Sequence, residues 1–289
     1  DYDGLRHWQA EQRAHGKLVG IGFSSFVEVC GLGPSSAANA MGFIGGLYDS
    51  ATVRVHPLGK VTVLTGVHSH GQGHETAFAQ IVADELGVGV DYLYVDTAAT
   101  EKVQHAATKV REKALKIAAH LMEVAEEDVE FVDNAFRVKG SPDKSKTIAD
   151  CAFAAYMGGN LPAGVGPMLE EQHYYDPENF VYPFGTHICV VEVDKETGET
   201  HLIRYLAVDD CGRIINPLLR DGQVHGGIAQ GIAQALWEEA VYDENGQLLS
   251  GSLMDYAIPK ASFLPHFELG HTETPSPHNP LGVKGIGEA

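Results

Sequence analysis

The chain has 289 residues, of which 44% are hydrophobic and 20% charged, and its formal net charge is −19. That length allows a sizeable core in one large domain or two intimate ones, and so acidic a surface repels phosphate backbones and anionic membranes, which argues against nucleic-acid partners. No apolar run reaches the length of a membrane span. The cysteines at 30, 151, 189 and 211 form no Cys-x-x-Cys pair and match no zinc or iron–sulfur spacing, so a reducing, cytoplasmic setting is expected.

Asp3 to Lys17 reads as a surface helix with Leu5, Trp8 and Ala14 on one side. The Gly-interrupted apolar run from Leu18 to Gly31 reads as a strand, and 33–46 as small-residue loop. Residues 50–66 alternate, with Val53 and Val55 on one face, Val61 and Val63 on another, and Pro57–Gly59 as the turn of a hairpin. Thr76 to Leu86 is a helix with a Phe78, Ile81, Val82, Leu86 stripe, stopped by Gly87. A second helix over about 101–121 carries Val103, Ala107, Val110, Ala114, Ile117 and Leu121 as a core stripe.

A short hairpin turns at Asp133–Asn134, and a longer one over 186–212 turns at Lys195–Gly198. Asn216 as cap and Pro217 at the first position open a helix running to about Ala240. Its glycines at 222, 226, 227 and 231 each lower helix propensity, so close approach of another backbone or a ligand is expected there. Hairpins alternating with helices imply an α+β architecture.

Four stretches carry candidate chemistry. His68, His70, His74 and Glu75 lie within eight residues around Gly71-Gln72-Gly73. Closely spaced histidines can hold zinc. Alternatively, the glycines admit a ligand to the backbone, the following helix offers free N–H groups, and Gln72 adds an uncharged donor and acceptor. Asp209-Asp210-Cys211-Gly212 ends a predicted strand, which is either a ligand edge or a simple turn. Gln223 sits in the first turns of the Gly-rich helix. In the closing Lys284-Gly285-Ile286-Gly287-Glu288, a carboxylate between apolar side chains suits a general base, whereas a plain tail would do nothing. His56, His173 and His187 stand isolated in the sequence.

Three of these stretches, 71–88, 208–236 and 279–289, occur in an order and at distances that resemble the molybdopterin-binding large subunit of the xanthine dehydrogenase and aldehyde oxidase family. The wording is closest to carbon monoxide dehydrogenase-type large subunits, a likeness shared by 22–35, 51–66 and 183–199. The resemblance implies two packed α+β subdomains, 1–175 and 176–289, with the cofactor between them. It assigns Gly71, Gln72, Gly73, His74, Asp210, Cys211, Gln223, Lys284 and Gly285 to the cofactor pocket and makes Glu288 the catalytic base.

The implied activity is oxidation of a small substrate with oxygen from water. The implied cofactor is molybdenum on molybdopterin in its cytosine dinucleotide form. Iron–sulfur clusters and FAD would sit only on a small and a medium partner subunit, in a dimer of heterotrimers.

The chain also departs from that pattern. The family's upstream cofactor segments are missing, both ends look cut from something longer, and Thr100 runs straight into Glu101 where a Gly-, Ser- and Arg-rich cofactor stretch is expected. Two other readings therefore stand beside the first: a cofactor-free remnant serving as a binding or scaffold domain, and a zinc hydrolase using His68, His70 and His74.

Overall fold

The computed structural model describes residues 1–31, 33–96 and 100–287. Glu288, the expected base, lies outside the described residues, as do 97–99 just before Thr100. In chain order the elements begin with α1 (Tyr2–Ala14), β1 (Leu18–Val27), α2 (Ser35–Ala40), β2 (Asp49–Val55), β3 (Val61–Thr65), α3 (His74–Leu86) and β4 (Leu93–Asp96). They continue with α4 (Thr100–Met122), β5 (Val129–Val132), β6 (Ala135–Val138), β7 (Ser141–Thr147), α5 (Ile148–Met157) and β8 (Leu169–Tyr175). The last are β9 (Phe184–Val193), β10 (Thr200–Asp210), α6 (Pro217–Leu236) and β11 (Phe267–Thr272). The architecture is α+β, as expected.

The chain forms two compact units, Asp1–Gly31 with Phe180–Ala289, and Leu32–Asn179. The expected first unit, 1–175, therefore loses its first 31 residues to the second. Strand pairing explains the exchange. β1 lies antiparallel to β9 over ten residues, from Leu18 opposite Val193 to Val27 opposite Phe184, and Cys30 bridges Val181 beyond it. No local feature of the N-terminal sequence announces a partner so far along the chain.

In the unit that contains both chain ends, the sheet runs β1-β9-β10-β11, antiparallel except for the β10–β11 pair. α6 covers it, packing Val224, Ile228 and Ile232 against Ala207 and Phe267. Asn216 Oδ1 accepts from Leu219 N–H at 3.1 Å and Pro217 opens the helix, as its sequence predicts. The helix stops at Leu236, before the expected 240.

In the other unit the sheet order is β4-β3-β2-β8. β3 and β4 are parallel and joined through α3, which makes a βαβ crossover. The hairpin register sets Val53 opposite Val63 and Val55 opposite Val61, so all four valines share one buried face instead of two. α3 and α4 pack on that face through Phe78, Val82, Leu86, Val103, Val110 and Ile117. Asp133 and Asn134 take positive φ in the β5–β6 turn, as a two-residue hairpin requires. β7 adds a third strand to that small sheet.

Candidate functional site

The Gly71–Gly73 loop leads from the carboxyl end of β3 into α3, the edge where α/β crossovers commonly receive ligands. Gly71 and Gly73 have φ of 95° and 73°, left-handed values that favour glycine, and a Cβ on Gly71 would meet open space. Gly73 caps α3 with no side-chain hydrogen bond, leaving the first N–H groups of the helix without a side-chain acceptor. Gln72 is exposed, and its Oε1 accepts from His70 N–H at 2.5 Å.

The histidines of this loop do not form a ligand set. His68 and His70 are exposed, whereas His74 is half-buried and stacks on Phe78 at 5.0 Å. Among the described residues no three His, Cys, Asp or Glu side chains gather as metal ligands, so the zinc arrangement is not assembled. Burial lowers the pKa of His74; the nearby Glu75 opposes that effect and His70 reinforces it, leaving the ring neutral at pH 7.

His74 Nδ1 is shielded from solvent and has no hydrogen-bond partner, as are Thr65 Oγ1 and Gln104 Oε1. Thr65 ends β3, His74 opens α3 and Gln104 lies near the start of α4. Connectivity thus places all three at the carboxyl edge of the parallel pair. A buried polar atom without a partner costs roughly 1–3 kcal/mol, so this edge has unmet hydrogen-bonding capacity. Thr65 and Gln104 were not legible as site residues, because each is an ordinary member of its strand or helix pattern.

In the other unit Asp210, Cys211, Gln223, Lys284 and Gly285 form one connected region. Asp210 ends β10 and is 1% exposed. It accepts from Gly212 N–H at 3.0 Å, Thr272 Oγ1–H at 2.8 Å and Lys284 Nζ at 3.1 Å. Burial alone would raise its pKa, but the bonds from Gly212, Thr274, Thr272 and Lys284 outweigh it and hold the carboxyl below its usual range. Asp210 therefore acts as a brace between β10 and the C-terminal segment.

Cys211 is buried and its thiol pKa is raised, chiefly by that burial, so it is not a reactive thiolate. Its carbonyl accepts from Lys284 N–H at 2.8 Å, and Arg213 N–H donates to Gly282 O at 3.0 Å. Gly212, with φ of 65°, has no room for a Cβ, which would overlap the Gly282 carbonyl oxygen.

Gly287, with φ of 90°, packs on the Gln223 backbone, and a Cβ there would lie 2.7 Å from the Gln223 carbonyl oxygen. A Cβ on Gly227 would overlap Gly287 O. The expectation of close backbone approach thus holds at Gly227, while Gly222, Gly226 and Gly231 face open space.

One cluster escaped the sequence reading. His187, isolated in sequence, is bound on both ring nitrogens: Nε2 lies 3.0 Å from Asp209 Oδ1 and Nδ1 lies 3.1 Å from Tyr205 Oη. Both His187 and Asp209 are buried. The signal that could have found it is the i, i+4 spacing of Tyr205 and Asp209 on one strand of a hairpin.

Comparison with known proteins places this geometry in context. The family described as "Molybdopterin cofactor-binding domain" matches residues 1–105 and 99–265. The carbon monoxide dehydrogenase large chain of Hydrogenophaga pseudoflava is 43% identical over 311 residues, an alignment covering 100% of this chain and 38% of that protein. The chain thus spans about two-fifths of the length of such relatives.

Among solved structures, the reconstituted CO dehydrogenase from Oligotropha carboxidovorans matches with a TM-score of 0.90 and 41% identity, covering 99% of this chain and 38% of that one. Quinoline 2-oxidoreductase from Pseudomonas putida 86 matches with a TM-score of 0.89 and 41% identity, covering 99% and 39%.

Proposed function

Because the chain belongs to the molybdopterin cofactor-binding domain family, we propose that it is part of the catalytic large subunit of a molybdenum hydroxylase. The observation that carries this reading in the structure is the edge around Gly71–His74. There a left-handed glycine loop, an uncapped helix start and the unpartnered His74 Nδ1 meet. These features fit an uncharged-to-anionic polar ligand with many acceptor atoms, which is what a pterin carrying phosphate offers.

When bound, the cofactor supplies two-electron redox chemistry at molybdenum for oxidation with oxygen derived from water. The protein's own part is to hold and to move a proton. In unit 32–179, α3 N–H groups would donate to phosphate or pterin oxygens, and neutral His74 and Gln72 would add directional hydrogen bonds without net charge. In the other unit, the Asp210–Lys284 brace would hold the 282–287 backbone in place, with Cys211 and Gln223 supporting it from β10 and α6. Glu288 would take a proton from the attacking water-derived oxygen, the role of a general base.

The two solved structures named above are both 41% identical to the chain, one acting on carbon monoxide and one on quinoline by name. The substrate class proposed is therefore a small molecule with an electron-poor carbon, either carbon monoxide or a nitrogen heterocycle. The cofactor form proposed is the cytosine dinucleotide. The partners are an iron–sulfur subunit and a flavin subunit in a dimer of heterotrimers, in the cytoplasm. No helix among the described residues is long and apolar enough to cross a membrane.

The test is co-production of the full-length subunit with its two partner subunits and measurement of dye reduction per bound molybdenum with carbon monoxide and with quinoline. Turnover with either supports the reading. Molybdenum-loaded complex inert to both, and to aldehydes and purines, contradicts it.

A further inference from the structure

The sheet of the unit that contains both chain ends stops at β1. An edge strand exposes unpaired backbone groups, and proteins usually guard such edges with charge, proline or a bulge. The other sheet edges follow that rule. β4 ends on Asp96, β5 holds Glu130, β7 holds Pro142 and Lys144, β8 holds Glu170 and β11 holds Glu268. Among the described residues β1 alone differs: from Leu18 to Val27 it runs ten residues with neither charge nor proline.

The register decides which backbone groups face out. On the inner side Glu28 N–H donates to Pro183 O at 3.0 Å, and Cys30 exchanges bonds with Val181 at 2.8 and 3.0 Å. Hydrogen-bonding direction alternates along an antiparallel strand, so even-numbered residues face β9 and odd-numbered ones face outward. The Val19 carbonyl bears this out. It accepts from Gln9 Nε2 at 2.8 Å and Arg13 Nη2 at 3.0 Å, both side chains of α1.

α1 therefore closes the edge at Val19. Beyond it, no strand among the described residues pairs with the outward groups of Ile21, Phe23, Ser25, Val27 and Val29. Phe23, Val27 and Val29 are 54%, 72% and 51% exposed.

We propose that this edge is a surface for self-association. Two copies of the chain pair β1 with β1, antiparallel about a two-fold axis at Ser25, and join two four-stranded sheets into one. The inference goes beyond the proposed function and does not rest on it.

The occupant follows from self-complementarity. About that axis Ile21 meets Val29, Phe23 meets Val27, and Ser25 meets its own copy. Apolar side chains thus stand opposite apolar ones, and about ten inter-chain hydrogen bonds can form. Ser25 is the midpoint of the open stretch, so this register uses every outward group from 21 to 29 and leaves Val19 to α1. The one charge nearby, Glu28, falls opposite Gly22, where even a Cβ meets nothing within 4 Å. No like charges meet across the strands. The net charge of −19 on each copy opposes association at long range, and salt screens that repulsion.

The test is sedimentation of the 289-residue chain at physiological salt, over concentrations of about 1–100 μM. The mass should rise from 31.1 kDa toward twice that value, and amide exchange over 21–29 should slow as it does. Ser25→Pro removes an N–H that points out of the sheet, which an edge strand tolerates. It deletes both bonds of the central pair and should weaken the dimer at least about tenfold. Ser25→Lys sets like charges directly opposite each other at the axis and should weaken it too, with the backbone donor kept. Circular dichroism of both variants should match the wild type, and if Ser25→Pro fails to fold, Ser25→Lys decides.

A chain that stays monomeric throughout, as it would if the edge took a strand from a different protein, overturns the proposal. So does a dimer that Ser25→Lys leaves intact, or one that forms without slowing exchange over 21–29. None of these readouts involves a cofactor, so they stand apart from the molybdopterin reading.

Discussion

Lys284 Nζ lies 3.1 Å from Asp210 Oδ1, with both side chains almost wholly buried. The pair ties the end of β10 to the segment that leads to Glu288. Breaking a buried pair on one side leaves an uncompensated charge, which typically costs about 3–5 kcal/mol. Lys284→Ala should therefore lower the urea midpoint strongly, and Asp210→Asn should do so as well.

The pH dependence of that brace has a definite sign. The Asp210 carboxyl is held below its usual range in the folded state. Its contribution is thus complete above the unfolded carboxyl value, about 3.9, and is lost as pH falls below it. Acid denaturation followed by circular dichroism should begin at higher pH in Lys284→Ala than in the wild type.

The glycines of α6 should behave in opposite ways. Gly227→Ala forces a Cβ into the Gly287 carbonyl and should cost about 1–3 kcal/mol. Gly231 faces open space, so Gly231→Ala should stabilise by about 0.5–1 kcal/mol through helix propensity. Thermal melts of the two variants, shifted to opposite sides of the wild type, check this.

How far the sequence reaches is clear from individual residues. The α3 and α4 stripes, the Asn216 cap and the Gly-rich loop at a strand-to-helix junction were legible, because local periodicity and turn chemistry determine them. The β1–β9 pairing was not, since it joins residues about 160 positions apart. The His187 cluster was hidden for a subtler reason. The β9–β10 register starts with Thr200 opposite Val193, and continued regularly it would set His187 opposite Leu206. A bulge between Leu202 and Arg204 shifts the register by one, setting His187 opposite Ala207 and turning it to the face of Tyr205 and Asp209. Nothing local to His187 encodes that shift.

Glu288→Gln and Gln72→Ala should separate base from binding residue in the assembled enzyme. Glu288→Gln keeps size but accepts no proton, so turnover per molybdenum should fall at least about 10²-fold with cofactor content kept. Gln72→Ala removes a neutral hydrogen-bonding group, worth roughly 1–3 kcal/mol where its partner is buried. Reduced molybdenum retention with a modest rate loss is expected there.

The central claim is that this chain belongs around a molybdopterin, and elemental analysis joined to pterin and nucleotide release tests it most directly. Protein is purified from a host that makes the cofactor, together with its partner subunits, and denatured. The account predicts molybdenum, pterin and cytosine nucleotide in equal amounts, and less of all three in Gln72→Ala. Protein that folds and assembles yet carries neither molybdenum nor pterin, or carries zinc in their place, would contradict it.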